Sequence, residues 1–135
     1  MTKDMVDVRK IAREKSAELV GRSTVEAWGA LTSPLLIALL VTGEKVARAA
    51  GLSTAEARRK MLPIVRQTLA NYAELGPAGA FSGPIVRGDA LVVRQHLKEL
   101  KKIPEARAVY AALARAGLRY LPARNGEQLE KQLRK

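Results

Sequence analysis

The segment of residues 76–89 has the composition best suited to contacting a ligand. It holds four glycines and two prolines and ends in Phe81-Ser-Gly-Pro-Ile-Val-Arg-Gly-Asp89. Glycines let backbone amides approach an anion, Arg87 adds a cation, and Asp89 is placed to cap a following helix. The segment matches neither the P-loop nor the dinucleotide-binding glycine motif. It predicts either an anion-contacting loop or a conformationally demanding connection between helices.

The other groups that could take part in catalysis are isolated in the sequence. His96 is the single histidine, without a serine partner or a carboxylate pair, so we interpret it as structural. Ser33 lies in an apolar stretch with no base placed to activate it. The lack of cysteine excludes thiolate chemistry, disulfides and cysteine-based metal sites. The residues alone predict no catalytic centre and no metal site.

A large excess of positive charge is spread along the chain. The net charge is +11, from 24 basic and 13 acidic residues. Aromatic residues are not interleaved with the basic ones, as a surface that stacks on single-stranded nucleic acid requires. We therefore expect no nucleic-acid partner, while a basic adaptor for nucleic acid or another acidic partner remains the alternative function. The N-terminus lacks the apolar stretch of a signal peptide, so we expect a cytoplasmic protein.

The spacing of apolar residues predicts helices along most of the chain. Alanine and leucine, the strongest helix formers, dominate the apolar set. Ser53 and Glu56 have the form of a capping box, and Asp89 should cap a later helix. The predicted helices cover about residues 4–20, 24–50, 54–75, 90–102 and 104–121, followed by a short charged helix that frays. The predicted fold is therefore all-α, a single bundle of five to six helices.

The predicted helix over residues 24–50 is unusually apolar. Residues 35–41 are apolar on all sides, which predicts burial all round. The uncharged run is shorter than the ~20 residues that span a bilayer, and it includes hydroxyl side chains and a proline. We therefore expect no membrane span, but a helix in the core or in a dimer interface. Pro34 should kink or divide this helix, with Ser33 as a possible N-cap.

Several segments occur in a recognisable order over about residues 25–121. They are Ser33-Pro-Leu-Leu-Ile-Ala-Leu-Leu40, Met61-Leu-Pro-Ile-Val-Arg-Gln-Thr-Leu-Ala-Asn71 and, above all, Phe81-Ser-Gly-Pro-Ile-Val-Arg-Gly-Asp-Ala90, followed by His96-Leu97. Together they resemble the helical C-terminal domain of a family of Rossmann-like NAD(P)-dependent oxidoreductases of unknown function. That family is part of the 6-phosphogluconate dehydrogenase C-terminal-like group and is akin to pyrroline-5-carboxylate reductases.

The resemblance implies a homodimer whose helical domain, residues 25–121, closes over a substrate cleft beside a dinucleotide-binding domain. Residues 1–24 would be a remnant or linker helix of that missing domain, and residues 122–135 a short charged C-terminal helix. Because the chain lacks a Gly-x-Gly-x-x-Gly motif, we expect it to bind no cofactor itself. NAD(P) is expected only with a companion Rossmann domain. Trp28 and Ser33 stand where relatives tend to carry His and Asn, which weakens or alters any chemistry there.

The resemblance also selects candidate ligand-contacting residues, and it identifies no catalytic one. The candidates are Ser33, Arg66, Asn71, Ser82, Gly83, Arg87, Gly88 and Asp89. The predicted function is a helical dimerisation and substrate-side module of an NAD(P)-dependent oxidoreductase. This module lacks its own nucleotide-binding domain and is not expected to be catalytic alone.

Overall fold

The structure is a computed structural model that describes residues 9–11 and 21–135. Within these two ranges the regular elements are helical and no strand occurs, which confirms the predicted all-α bundle. Contacts divide the chain into two compact units, residues 1–41 and 42–135. The elements are α1 (Arg22–Thr32), α2 (Pro34–Ala49), α3 (Thr54–Ala80), α4 (Pro84–Arg87), α5 (Ala90–Glu99), a 3₁₀ turn (Leu100–Lys102), α6 (Pro104–Tyr120) and α7 (Gly126–Arg134).

Most of the helix predicted over residues 4–20 lies outside the described residues. The part that is described, residues 9–11, is helical. The division predicted at Pro34 is confirmed. Ser33 leaves helical geometry at φ −131° and ψ −82°, and its amide donates to the carbonyl of Gly29. Pro34 then begins α2, because the first residue of a helix needs no amide hydrogen. The Ser33 carbonyl accepts the first bond of α2, from the amide of Ile37 at 3.2 Å.

Helix α3 opens with the predicted capping box. The Ser53 hydroxyl accepts from the amide of Glu56 at 3.1 Å, and the Glu56 carboxylate accepts from the amide of Ser53 at 3.3 Å. Gly76 breaks the helix close to the predicted end, because its φ of 78° lies in the left-handed region. One further turn follows to Ala80, since Pro77 is suited to a first helical position.

The core of the C-terminal unit lies among α5, α6 and α7. Asp89 caps α5 as predicted, its carboxylate accepting from the amide of Val92 at 3.3 Å. Pro104 begins α6, also as predicted. The side chains that form the buried cluster are Val93, Leu97, Ala114, Leu129 and Leu133.

The prediction that the final helix frays is wrong, because α7 contributes two of these core side chains. Leu129 is fully buried and Leu133 nearly so. The apolar side of α6 is only partly buried. Ala106 and Gly117 are buried, but Leu113 is 51% and Tyr120 77% exposed, since no described element covers that edge of α6.

The expected burial of α2 on every side is also wrong for the single chain. Helix α2 has no buried residue. The side chains of Leu35, Ile37, Leu39 and Val41 are between 38% and 58% exposed. An apolar sequence indicates that a helix is buried, but it does not specify which surface buries it. The alternative expectation, a helix in a dimer interface, therefore stays a prediction.

Candidate functional site

The predicted ligand loop, residues 81–89, is built around the short helix α4. Gly83 precedes it with a φ of 97°, which favours glycine, and Pro84 occupies its first position. Gly88 ends it in the left-handed conformation, with φ 71° and ψ 28°. The amide of Asp89 donates back to the carbonyl of Pro84 at 2.9 Å, as in a Schellman ending. Gly83 and Gly88 thus allow the backbone to turn at the two ends of α4.

The backbone donors of this loop are mostly used within it. The amides of Arg87, Gly88, Asp89 and Ala90 each donate to a carbonyl between residues 83 and 88. The amide of Val92 donates its hydrogen bond to the Asp89 carboxylate. Residues 87–90 therefore offer no set of free backbone amides of the kind that binds phosphate in a phosphate-binding loop. An anion at this loop would rely on side chains, of which Ser82 and Arg87 are exposed.

The loop is fixed against two other segments of the C-terminal unit. The amide of Arg124 donates to the carbonyl of Val86 at 3.1 Å, and the Asn125 side chain donates to the carbonyl of Gly88 at 3.2 Å. The ring of Phe81 fills the space where a Cβ at Gly117 of α6 would lie. These contacts make the loop a packed connection, with Ser82 and Arg87 presented on a rigid base.

The remaining candidate residues do not join the loop through any hydrogen bond between described residues. Arg66 is exposed on α3. Asn71, on the same helix, accepts a hydrogen bond from the Gln67 side chain at 2.8 Å. Ser33 belongs to the N-terminal unit, where it separates α1 from α2. The structure therefore brings together five of the eight predicted residues: Ser82, Gly83, Arg87, Gly88 and Asp89.

His96 has a partner that the sequence did not reveal. Its Nδ1 lies 3.0 Å from the Tyr110 hydroxyl, and the two rings meet edge to face at 5.8 Å. Burial raises the pKa of Tyr110. The pair joins α5 to α6 across fourteen residues of sequence, too far apart for local spacing to predict. Because no carboxylate or serine among the described residues forms a hydrogen bond with the pair, we interpret it as structural, as the sequence predicts.

A cavity of about 260 Å³ lies between α5, α6 and α7. Leu97 and Gln132 line it together with five cationic side chains, Arg94, Lys98, Lys101, Arg107 and Lys135. The sequence offered one signal for it, since basic residues recur at 94, 98 and 101 on one face of a helix. Arg107 approaches from another helix, which only the tertiary fold reveals.

The described residues contain no group of three or more side chains suited to hold a metal ion. A search of the curated proteins and a search of the solved structures each found no match. Residues 14–117 match a family described as "Domain of unknown function (DUF2520)". This match covers well over half of the chain, and it includes the loop, α2 and α3. The chain therefore belongs to the DUF2520 family.

Proposed function

We propose that this chain is the helical dimerisation and substrate-side module of an NAD(P)-dependent oxidoreductase. A companion Rossmann domain would bind the nucleotide, and this module would add the second wall of the substrate cleft. The resemblance of residues 25–121 to such a module supports the proposal. The observation that carries it is the apolar surface left exposed on the first three helices.

That exposure is concentrated in one part of the chain. Of the fourteen large hydrophobic side chains that are exposed among the described residues, eleven lie on α1, α2 and α3. They are Trp28, Leu31, Leu35, Ile37, Leu39, Val41, Leu62, Ile64, Leu69, Tyr72 and Leu75. Soluble monomers rarely expose apolar surface on this scale, so a partner surface is expected to cover it.

A second copy of the chain is the partner that these helices fit best. A symmetric dimer lets identical apolar helices cover each other, and obligate dimer interfaces resemble a divided hydrophobic core. The segment Arg22–Ala49 is also long and apolar enough to cross a membrane by length and composition. Against a membrane span, Ser33 interrupts its helix, and Glu44 is paired with Arg58 at 2.7 Å.

The substrate-side role rests on the rigid loop. Its fixed backbone presents Ser82 and Arg87, a hydroxyl and a guanidinium that suit a polar or anionic substrate group. Ser33, Arg66 and Asn71 would contribute from the helices once the dimer and the companion domain are in place. Gly83, Gly88 and Asp89 would hold the loop in shape. The chemistry would be hydride transfer from the nicotinamide that the companion domain holds.

Trp28 gives a direct test of the dimer, because it lies on α1 and is 49% exposed in the single chain. We expect its emission to be blue-shifted at micromolar concentration and to move to longer wavelength on dilution. Ile37→Glu should abolish this dependence by placing a charge in the interface. The matched control is Leu113→Glu on α6, whose leucine is similarly exposed. Emission at long wavelength that does not shift with concentration, or an equal effect of both variants, would contradict the proposal.

A further inference from the structure

The basic cavity between α5, α6 and α7 brings together charges from separate parts of the chain. Arg94 and Lys98 come from α5, Lys101 from the 3₁₀ turn and Arg107 from α6. Positions 94, 98 and 101 follow one helical face, which places their first and last members about 10 Å apart. Together with Lys135, which follows α7, these cations line one small volume of about 260 Å³ rather than an extended surface.

The carboxylates of the described residues balance little of this charge. None lines the cavity, and their ion pairs include none of its cations. Glu99 is close enough to attract Lys98, but its ion pair is with Lys102. Elsewhere in the chain, Arg58, Arg115 and Arg134 each contact a glutamate. Like charges four residues apart on a helix repel each other. The cluster is thus left with an electrostatic cost that a bound anion would remove.

The orientation of Arg107 suits an anion. Its Nε donates to the carbonyl of Leu97 at 3.3 Å, near the end of α5. This bond holds the guanidinium at the cavity while its terminal nitrogens make no hydrogen bond to a described residue. A guanidinium presented in this way can donate two parallel bonds to a phosphate, and the lysines add point charges.

Gln132 adds a polar group at the inner wall. Its Oε1 is buried and has no hydrogen-bond partner among the described residues. A buried amide oxygen without a partner is rare, because it loses its contact with water and gains nothing in return. Rotation of the Gln132 side chain toward the cavity would let a ligand hydroxyl or a protonated phosphate oxygen donate to this atom.

We propose that this cavity binds the phosphate group of a small phosphorylated ligand. Its volume lies just below the range of about 300 to 1,000 Å³ that is typical of sites for whole drug-sized ligands. A phosphate or pyrophosphate group fits this size. A nucleic-acid duplex would need cations spread along many successive phosphates to bind tightly. The partial negative charge at the carbonyl end of α5 disfavours an anion, but the five cationic side chains outweigh it.

Calorimetric titration of the whole chain with inorganic phosphate and with pyrophosphate at low ionic strength tests this site. Pyrophosphate should bind more tightly, because it accepts more charged hydrogen bonds. Arg94→Gln/Lys98→Gln should weaken it at least about tenfold. Both residues are exposed, so the fold should tolerate the change. Arg107→Lys should also weaken binding, because it keeps the charge and removes the fork of donors.

The matched control is Arg59→Gln/Lys60→Gln, which removes the same charge from exposed positions of α3 outside the cavity. This variant should keep the wild-type affinity for pyrophosphate. Three results would overturn the proposal: no pyrophosphate binding by the wild type, an equal loss in both double variants, or unchanged affinity in Arg94→Gln/Lys98→Gln. Duplex DNA that displaces pyrophosphate with a steep salt dependence would overturn the assignment to a small ligand.

Discussion

Gly88 and Arg124 pack backbone against backbone. A Cβ added at Gly88 would lie 2.5 Å from the carbonyl oxygen of Arg124. In addition, the backbone amide of Arg124 donates a hydrogen bond to the carbonyl of Val86. The loop of residues 81–89 is thereby attached to the segment that leads into α7. The most specific segment of the sequence is thus also a structural joint of the C-terminal unit.

Gly88→Ala should destabilise the fold for two reasons, the left-handed φ of 71° and the clash with Arg124. We expect a loss of about 2 to 3 kcal/mol in the free energy of unfolding. Gly51→Ala is the matched control, because Gly51 also ends a helix with a positive φ, 100°, and nothing lies within 4 Å of an added Cβ. It should cost about 1 to 2 kcal/mol, from backbone strain alone. Equal losses in urea unfolding would contradict the contact with Arg124.

Leu129→Ala should show that α7 is part of the core. Leu129 is fully buried against α5 and α6, so its truncation should cost about 2 to 5 kcal/mol. Leu113→Ala on α6 removes the same atoms from a half-exposed position and should cost about 1 kcal/mol or less. Thermal or urea unfolding measures both. A Leu129→Ala variant as stable as Leu113→Ala would indicate that α7 is not docked.

Glu130 links α7 to α6 and should make stability depend on pH. Hydrogen bonds from Arg134 and then from Arg115, each 3.0 Å long, hold the pKa of Glu130 below its ordinary value of 4.5. Because the folded pKa is depressed, the stabilisation is complete above the unfolded value of 4.5. It is lost as the pH falls through the lower folded pKa.

Glu130→Gln should therefore be less stable than the wild type at neutral pH and lose less stability on acidification. The thermal midpoint, followed from about pH 5 to pH 3, measures this slope. Glu127→Gln, on the same helix, is the control, because Glu127 makes no ion pair with a described residue. It should keep the wild-type slope. A wild-type slope in Glu130→Gln would show that the two arginine bonds do not stabilise the fold.

Features set by neighbouring residues could be predicted from the sequence. The Ser53 capping box, the break at Pro34 and the Asp89 cap each depend on groups within four residues. The sequence of the final helix does carry a signal of its burial. Leu129 and Leu133 recur at a spacing of four, on one face of a helix whose other faces are charged.

Features set by distant residues could not be predicted. The contact of His96 with Tyr110 and the approach of Arg107 to Leu97 join different helices. The same holds for Asn125, which precedes α7 but makes no side-chain cap there, and instead donates to the carbonyl of Gly88. The sequence also does not specify which surface packs against α2, because the hydrophobic effect is non-directional.

Light scattering coupled to size-exclusion chromatography, at low and at high salt, tests the proposed dimer most directly. We predict a mass near twice that of the 14.7 kDa chain at both salt concentrations, because an apolar interface is not screened by ions. A chain that stays monomeric at micromolar concentration, at both salt concentrations, would contradict the proposed role of α1, α2 and α3.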